Sequence, residues 1–535
     1  MGSESIHSDR HDEKNPKHEV AIVKTAIGDE AFQQAMIKEP PPKMAAPILI
    51  FASMVAFCCS TANGYDGSLF GTLLANSDFM DFFGVDNKGI GAGIVTSMYQ
   101  IGSVVAIPAV GPAIDTWGRR IACIKTASVD QFMAGRFFLG FGVSIAAAAG
   151  PTYVVEVSHP AHRGIITGLY NVMWPVGALV ASGAALGGLE YEGSNTSWMI
   201  SVCLQLMFPC IIFCFAMLLP ESPRWLYTRG QKELATANLV KLHGHGNPDS
   251  EWVKLQLHEY EEHLEMDGSD KRWWDYRALF RNKASMYRLT CNCLVSLFGQ
   301  WAGNSIVSYY LSAFLDTAGI KGDKTKTRVA LGMNAVQIVF AAIGAGFTDT
   351  VGRRPMLLVV NIVCALCWVG VTVPASIANI TDLDDKAQTE AVTGPVSKAI
   401  LAWVYLFQIF YSIGWTPLQA LYPVEVLSYE IRAKGMAFSS LFTNAAMLVM
   451  QFGIPVALKN IAWKTYIVFC VWCVCQSIIL YFLVPETKNR TLEELDHIFS
   501  SDNPVKTSTQ KKLFEADANA NIVHIEPAVA DPSKA

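Results

Sequence analysis

Two charged side chains lie in stretches of the chain that are otherwise apolar. Asp66 stands near the end of one stretch, in the sequence GYDG at 64–67, and Arg136 stands near the start of another. Charged groups inside a membrane are costly and usually serve a function. The carboxylate of Asp66 could take up and release a proton; the alternatives are a structural ion pair or a helix cap at the membrane interface.

A second group of residues combines amides with aromatic rings. Gln300, Trp301, Asn304 and Tyr310 occur within one apolar stretch. Because amides donate and accept hydrogen bonds and aromatic rings offer large apolar faces, this set suits a neutral ligand with many hydroxyl groups. For each residue, a hydrogen bond to a neighbouring helix is the alternative.

Charged motifs occur twice and in the same order. DTWGRR at 115–120 recurs as DTVGRR at 349–354, and PESPR at 220–224 recurs as PETK at 485–488. Between them, a glutamate is followed after six residues by an arginine in both copies. Three paired motifs indicate two homologous halves. The charged members are Asp115, Arg119, Arg120, Glu156, Arg163 and Glu221 in the first copy, and Asp349, Arg353, Arg354, Glu425, Arg432 and Glu486 in the second.

Apolar segments of membrane-spanning length must position these residues. Their ranges are 45–65, 90–113, 132–157, 164–188, 198–219, 288–315, 329–348, 356–378, 398–424, 435–458 and 462–484. A hydrocarbon core of ~30 Å requires about 20 apolar residues per helix. We therefore predict an all-α membrane protein with about 11 spans.

The composition agrees with a membrane protein. The 535 residues are 51% hydrophobic and only 16% charged, whereas a soluble protein carries about a quarter charged residues. The net charge of −5 excludes a nucleic-acid binder that works through bulk positive charge.

Polar segments divide the chain into five predicted regions. These are a disordered cytoplasmic N-terminal tail (1–44), an N-terminal transmembrane bundle (45–220), a cytoplasmic linker with amphipathic helices (221–287), a C-terminal transmembrane bundle (288–484) and a cytoplasmic C-terminal tail (485–535). The orientation follows from the arginines beside the spans, which mark the cytoplasmic side. The loop that carries Lys321, Lys324, Lys326 and Arg328 is an exception, because it is basic and predicted outside.

The first half is shorter than the second. The copies of the GRR motif are 234 residues apart, whereas those of the other two motifs are 269 and 265 apart. Where a third span is expected, the residues near 121–134 include Lys125 and Asp130, and as a helix they would reach only about 21 Å. We interpret this as a missing helix, from a mis-spliced or mis-predicted gene product or a degenerate copy. The alternative is a functional protein with eleven spans.

No motif indicates an enzyme. The chain has no GxxxxGK[ST] phosphate loop and no nucleophile elbow. Its 13 cysteines are expected to be reduced and packed in helices. We expect His243 and His245 to be solvated surface residues rather than metal ligands. We therefore predict no catalytic residue, no cofactor and no bound metal.

The ordered motifs resemble those of a known family. GxxxDxxGRR at 111–120, GRFFLGFG at 135–142, PESPRW at 220–225 and PETKNRTLEEL at 485–495 are similar to those of the sugar porter family of the major facilitator superfamily. The resemblance covers about 45–495. It implies two pseudo-symmetric six-helix bundles with substrate bound at the midplane between them.

Further sequences resemble the fungal lactose permease-like and hexose branch of that family. They are GYDGSLFG at 64–71, ITGLYNVMWPVG at 166–177 and FGQWAGN at 298–304. The resemblance implies a monomer in the lipid bilayer of a plasma membrane, with both tails cytoplasmic. Its partners would be a small-molecule sugar and a proton, with no nucleic acid.

The resemblance assigns roles to the charged residues. Asp66 and Arg136 match a pair in proton-coupled members, so protonation of Asp66 would be linked to the outward or inward state. The duplicated charges match a network that closes the cytoplasmic side in the outward-open state, with Glu221 and Glu486 in the same layer. The alternative is that the arginines only fix orientation.

The resemblance also extends the set of ligand-binding residues. Gln300 matches a sugar-binding glutamine, Ser305 stands where the family has asparagine, and Ala420 replaces a tryptophan. The loss of an indole favours a disaccharide over a hexose. The predicted substrate-binding residues are Gln300, Trp301, Asn304, Tyr310, Asn171, Trp174, Gln419 and Asn444.

The predicted function is secondary active transport of a sugar, either a disaccharide such as lactose or a hexose, by proton symport with alternating access. The alternatives are a proton-independent facilitator, a non-transporting sugar sensor and an inactive truncated gene product. A sensor is disfavoured by the short C-terminal tail.

Overall fold

The structure is a computed structural model. It describes residues 38–39, 47–83, 94, 97–106, 132–159, 163–244, 246–266, 277–320, 322–380, 386–427, 432–488, 492–501, 503–509, 514–516 and 522–524.

Helices of the first half and the linker follow one another in chain order. They are α1 (Pro47–Leu73), α2 (Ser77–Phe83), a helical segment at 97–106, α3 (Phe132–Val157), α4 (Arg163–Gly188), a 3-10 helix (Leu189–Tyr191), α5 (Thr196–Leu204), α6 (Met207–Ala216), α7 (Pro223–Thr228), α8 (Lys232–Leu242), α9 (Glu251–Met266) and a 3-10 helix (Arg277–Phe280).

The second half and the C-terminal tail are also mainly helical. Their elements are α10 (Lys283–Trp301), α11 (Asn304–Tyr309), α12 (Leu311–Thr317), α13 (Asp323–Val351), α14 (Arg353–Ile380), α15 (Lys386–Val426), α16 (Arg432–Asn460), α17 (Lys464–Leu483), α18 (Leu492–Ser500), α19 (Pro504–Ser508) and an antiparallel pair of short strands, β1 (Phe514–Ala516) and β2 (Ile522–His524).

Nine helical segments in the described part of the chain, one of them α5 and α6 taken together, are long and apolar enough to cross a membrane. They correspond to nine of the predicted segments, which confirms an all-α multi-pass membrane protein. The stretch predicted as one span at 288–315 is instead divided among α10, α11 and α12. The stretch at 90–113 is described only in part. The missing helix predicted near 121–134 falls almost entirely outside the described residues.

Helices α1 and α4 cross at very short distance because glycines stand at their contact. A Cβ atom added to Gly64 would lie 1.9 Å from the carbonyl oxygen of Trp174, and one added to Gly177 would lie 1.9 Å from the carbonyl oxygen of Thr61. Small residues allow backbones to approach where the bilayer supplies no hydrophobic drive for association. This crossing forms the centre of the first half.

The two halves contact each other near the predicted outer ends of their helices. The backbone N–H of Ser77 donates to Asp323 Oδ2 at 2.8 Å. Deeper in the interface, Asn334 Nδ2 donates to Ser182 Oγ at 2.7 Å and to the carbonyl oxygen of Ala178 at 3.1 Å. These contacts join the halves on the side where α1 ends and α13 begins.

Acidic partners balance two of the basic residues that break the orientation rule. Lys326 Nζ lies 2.5 Å from Asp316 Oδ1, and its side chain is only 8% exposed. Lys324 Nζ lies 3.5 Å from Glu192 Oε2 at the surface. The loop is basic because two of its lysines pair within the fold, so these charges are weak evidence about orientation.

The linker helices pack beneath the first half, and here one expectation is wrong. His243 is 1% exposed rather than solvated; its Nε2 lies 2.9 Å from the carbonyl oxygen of Val157, and its ring lies 5.3 Å from that of His159. The error arose because the polar segment folds back onto the end of α3. His245 lies outside the described residues.

The N-terminal segment is fixed to the linker at Glu39. Its carboxylate accepts hydrogen bonds from Ser250 Oγ at 2.8 Å and from the backbone N–H of Glu251 at 2.9 Å. Trp252 Nε1 donates to the carbonyl oxygen of Glu39 at 2.9 Å. A carboxylate at the first turn of α9 is favoured by the helix dipole. Hydrogen bonding to Lys254, together with nearby Lys38, lowers the pKa of Glu251.

Candidate functional site

Asp66 lies within α1 and is 3% exposed. Gln205 Nε2 donates to its Oδ1 at 2.7 Å. The backbone of Arg136 lies in α3, but the side chain of Arg136 is outside the described residues, so the predicted Asp66–Arg136 pair stays a prediction. The structure thus provides a buried carboxylate with an amide donor that the sequence did not indicate.

The span that carries Gln205 is interrupted at this residue. Helix α5 ends at Leu204 and α6 begins at Met207, with a turn at Gln205 and Leu206. The N–H of Gln205 bonds the carbonyl oxygen of Cys203, whereas the carbonyl oxygen of Ser201 accepts from the hydroxyl of Tyr65 at 2.6 Å. The residue pair Tyr65 and Asp66 therefore holds both sides of the interruption.

A second interruption lies in the predicted ligand-binding stretch. Gly303, between α10 and α11, has φ +107°, and a Cβ there would lie 2.3 Å from the Trp368 ring. Backbone groups freed at such a break must be satisfied inside a membrane. Three carbonyl oxygens are satisfied by side chains: that of Gly299 by the Tyr411 hydroxyl at 2.9 Å, that of Ala302 by Trp368 Nε1 at 2.9 Å, and that of Gln300 by Ser305 Oγ at 3.1 Å.

Two predicted ligand-binding amides remain available near this break. Gln300 on α10 and Asn444 on α16 are half-buried, and no described residue is found hydrogen-bonded to either side chain. Asn304 Oδ1 accepts from Ser308 Oγ at 3.3 Å. Ser305, which stands at the family's asparagine position, instead bonds its hydroxyl to the backbone. The binding roles of Gln300, Asn304 and Asn444 remain predictions.

Two predicted aromatic residues hold neighbouring helices. Trp301 Nε1 donates to the carbonyl oxygen of Ala446 at 3.0 Å, and its ring lies 5.5 Å from that of Trp472. Tyr310 is fully buried, and its hydroxyl donates to the carbonyl oxygen of Gln451 at 2.6 Å. These contacts are the alternative that was weighed for both residues, and a ligand role for either one stays a prediction.

Gln419 on α15 lies directly against α10. A Cβ at Gly299 would lie 1.5 Å from Gln419 Nε2, and this amide donates to the Tyr411 hydroxyl at 3.4 Å. Gln419 therefore packs where α10 presents only a glycine. The side chain of Ala420, expected to leave room for a larger sugar, is outside the described residues.

In the first half, Trp174 on α4 faces α1. Its Cζ2 would lie 3.5 Å from a Cβ at Gly67, and a Tyr309 hydroxyl from α11 would lie 3.8 Å from the same point. Trp174 is thus near the contact between the halves. The side chain of Asn171, one turn earlier, is outside the described residues.

A small polar cavity, partly open to solvent, lies between the two halves. Its polar lining consists of Ser68, Thr72, Ser182, Ser308, Asn334, Gln337 and Gln408. Gln408 Oε1 is buried, and no hydrogen-bond partner is found for it among the described residues. The described lining carries amides and hydroxyls without a charged side chain, which suits a neutral polyhydroxyl ligand.

The sequence analysis missed the residues of this cavity. The one sequence feature that could have indicated these residues is the pair Asn334 and Gln337, one turn apart in an otherwise apolar helix, where polar residues are costly. Ser68, Thr72 and Ser308 gave no signal, because hydroxyls are common in membrane helices as backbone partners.

In the second half, charged side chains form a network at the end of the bundle that is predicted to be cytoplasmic. Arg353 Nη2 lies 2.7 Å from Glu425 Oε1, and Arg353 Nε lies 3.1 Å from Glu425 Oε2. Glu486 accepts from the backbone N–H groups of Arg353 at 2.9 Å and Arg354 at 3.1 Å. A carboxylate here caps the start of α14. The guanidinium of Arg354 donates to the carbonyl oxygen of Tyr481 at 2.7 Å.

The first half repeats part of this network. Ser222 Oγ donates to Glu156 Oε2 at 2.6 Å, as Thr487 Oγ1 donates to Glu425 Oε2 at 2.6 Å. The backbone N–H of Ser222 donates to Glu221 at 3.1 Å, as that of Thr487 donates to Glu486 at 2.9 Å.

A pair of tyrosines follows the same symmetry. The Tyr153 hydroxyl donates to the carbonyl oxygen of Pro220 at 2.8 Å, and the Tyr422 hydroxyl donates to that of Pro485 at 3.1 Å. The duplication seen in the motifs therefore extends to individual hydrogen bonds. Asp115, Arg119 and Arg120, and the side chains of Arg163, Asp349 and Arg432, lie outside the described residues.

Long apolar helices in two related halves, with a polar cavity between them, define a membrane transport protein rather than an enzyme. The chain belongs to the sugar transporter family: the family model described as "Sugar (and other) transporter" matches residues 52–499. This confirms the family that the motifs indicated.

Similar proteins carry related descriptions. A high-affinity glucose transporter of Kluyveromyces lactis is 28% identical over 82% of this chain and 83% of its own length. The MFS-type transporter oryC of Aspergillus oryzae is 27% identical over 84% of both chains. A probable quinate permease of Aspergillus flavus is 25% identical over 84% of this chain and 87% of its own length.

Solved structures confirm the major facilitator fold. The inward-open xylose transporter XylE from E. coli superimposes with a TM-score of 0.64 at 17% identity, over 84% of this chain and 99% of that chain. XylE described as a proton:xylose symporter, bound to 6-bromo-6-deoxy-D-glucose, gives a TM-score of 0.62 at 19% identity, over 84% and 99%.

Proposed function

We propose that this protein moves a neutral sugar across the plasma membrane by proton symport. The observation that carries the proposal is the combination of one buried carboxylate, Asp66, with an uncharged polar cavity between the halves. Amide and hydroxyl groups can bind a sugar, and a carboxylate at membrane depth can carry the proton.

The proposed cycle alternates access to the cavity. In the described state, contacts of Ser77 with Asp323 and of Asn334 with Ser182 join the halves on the predicted outer side. Opening to that side requires these contacts to break, and the paired charge networks would then meet at the cytoplasmic side. The halves would thus pack in two ways, joined on the outer side or on the cytoplasmic side, and the change between them would switch access to the cavity.

The cavity supports a neutral substrate over an acidic one. A carboxylate-bearing substrate would need a cationic partner, and the described lining has none. Whether the sugar is a hexose or a disaccharide such as lactose depends on the space beside Gln419 and Ala420. Comparing competition by glucose, galactose and lactose for labelled-sugar uptake measures this choice.

The decisive test is Asp66→Asn in the chain encoded by the transcript, once that transcript has been sequenced across Arg120 to Gly135. We expect sugar-induced alkalinisation of the medium to be lost in this variant, because an amide cannot carry the proton, while exchange of labelled sugar continues. Asp78→Asn is the control, since Asp78 bonds Gly193 and Ser197 in an outer loop. Alkalinisation that persists in Asp66→Asn would contradict symport through this residue.

Sequencing the transcript also tests the alternative of an inactive truncated product. Additional apolar residues between Arg120 and Gly135 would restore a third span. If the transcript encodes no additional residues there, we expect no labelled-sugar uptake, and robust uptake would refute the missing-helix interpretation.

A further inference from the structure

The interruption between α5 and α6 lies directly beside the buried carboxylate. Gln205 occupies the turn, and its Nε2 is 2.7 Å from Asp66 Oδ1. Its neighbours Leu204 and Leu206 in the same span are exposed. Gln205 therefore directs its side chain toward α1 at the place where the helical hydrogen-bond pattern of the span is broken.

The turn itself is held from α1. In a continuous helix, the carbonyl oxygen of Ser201 would accept from the N–H of Gln205. Here it accepts from the Tyr65 hydroxyl at 2.6 Å, and the N–H of Gln205 bonds Cys203 instead. Because Tyr65 and Asp66 are consecutive, the hydroxyl that donates to Ser201 and the carboxylate that accepts from Gln205 come from the same point of α1.

Interrupted helices in transporters place polar groups at binding sites. An amide that donates to a carboxylate stabilises its charged form. From this geometry we propose that Gln205 is a positioning residue for Asp66: it orients the carboxylate and favours its deprotonated form. The proposal rests on the proposed role of Asp66 in proton coupling.

Other titratable groups surround this carboxylate. Tyr65 precedes it, Cys203 lies near Tyr65 on α5, and Tyr309 approaches from α11. Arg136 lies on α3, with its backbone described. Trp174 on α4, whose ring lies near Gly67, does not titrate. An effect of Gln205 must therefore be measured on Asp66 itself, not only on transport.

The experiment uses the full chain with Gln205→Leu, purified in lipid, and follows the infrared absorbance of protonated carboxyl groups against pH. The band that belongs to Asp66 is the one that Asp66→Asn removes. In Gln205→Leu we expect this band to titrate about one pH unit higher than in the unaltered chain, because the charged form has lost a hydrogen bond. The pH profile of proton-coupled uptake should move in the same direction.

Two further variants keep the test decisive. Gln205→Met keeps the length of the side chain and lacks the amide donor, so we expect a shift in the same direction even if Gln205→Leu does not fold. Ser201→Ala is the control: it lies one turn away on the same face, its hydroxyl is buried with no hydrogen-bond partner found in the described chain, and its backbone bond to Tyr65 remains.

The outcomes separate the two proposals. If Asp66→Asn abolishes alkalinisation while both Gln205 variants titrate like the unaltered chain, the positioning role is wrong and the proton-coupling role stands. If Asp66→Asn leaves alkalinisation intact, the proton-coupling role fails, whatever the Gln205 variants show.

Discussion

In the described residues, each half of the molecule shows an interrupted membrane segment, but the interruptions fall at different places. In the first half it is the last segment, α5–α6, which breaks beside the carboxylate of Asp66. In the second half it is the first segment, α10–α12, which breaks at Gly303 beside uncharged amides. The duplicated fold has therefore placed one break at a charged group and the other at the predicted ligand-binding residues.

The two breaks are stabilised by the same chemistry. A tyrosine hydroxyl from a neighbouring helix satisfies a freed carbonyl oxygen in both: Tyr65 bonds Ser201, and Tyr411 bonds Gly299. What differs is the side chain that the break presents, which is Gln205 in one half and Gln300 in the other. Under the proposed function, the first break would serve proton binding and the second would serve sugar binding.

The largest expected effect is that of Gly303→Ala. The left-handed conformation costs an alanine about 1–2 kcal/mol, and overlap with the Trp368 ring adds about 1–3 kcal/mol. We expect a marked fall in the thermal unfolding temperature of the purified protein and loss of sugar binding. Gly346→Ala in α13 is the control, because open space surrounds that position. Equal stability of the two variants would show that the second break does not depend on Gly303.

An intermediate effect is expected from removing each tyrosine hydroxyl. Tyr65→Phe and Tyr411→Phe each leave a buried carbonyl oxygen without its donor, at a cost of about 1–3 kcal/mol. Tyr65→Phe should shift the pH profile of uptake, whereas Tyr411→Phe should raise the KM for sugar because it also releases Gln419. If both variants shift the pH profile, or if both raise the KM, the assignment of separate roles to the two breaks is wrong.

The smallest expected effect concerns the matched hydroxyls of Ser222 and Thr487. Thr487→Val removes one hydrogen bond to Glu425, at about 1 kcal/mol. Ser222→Ala removes the corresponding bond to Glu156 and also the N-cap of α7, where Ser222 Oγ accepts from the N–H of Trp225, so about 2 kcal/mol is expected. Thermal unfolding of the two variants measures the difference; a larger loss in Thr487→Val would contradict it.

The sequence predicted the helices well because a hydrophobic run of about 20 residues has few other solutions in a membrane. It also predicted the duplication, since the motif pairs around Glu156 and Glu425 preserve their spacing. It failed at 288–315, where the apolar run continues through Gly303 although the helix does not. Hydropathy reports how apolar the side chains of a segment are. It is insensitive to a backbone turn whose carbonyl oxygens accept hydrogen bonds from Tyr411 and Trp368.

The site was less accessible to sequence reasoning. Gln300 and Asp66 were noticed because an amide beside a tryptophan and a carboxylate in an apolar run are unusual. Gln205, Asn334 and Ser182 were not, because their significance lies in partners more than 130 residues away. Such partners follow from how the helices pack, and the pattern of one segment does not contain that information.

The close crossing of α1 and α4 has a mechanical consequence. With carbonyl oxygens 1.9 Å from where a Cβ of Gly64 or Gly177 would stand, the two rods have no clearance to slide past each other, since packed interiors transmit strain. Asp66 on α1 and Trp174 on α4 therefore move together, because the two helices form one rigid pair. A change in the water that reaches the carboxylate must come from movement of other helices around this pair, among them the span that carries Gln205.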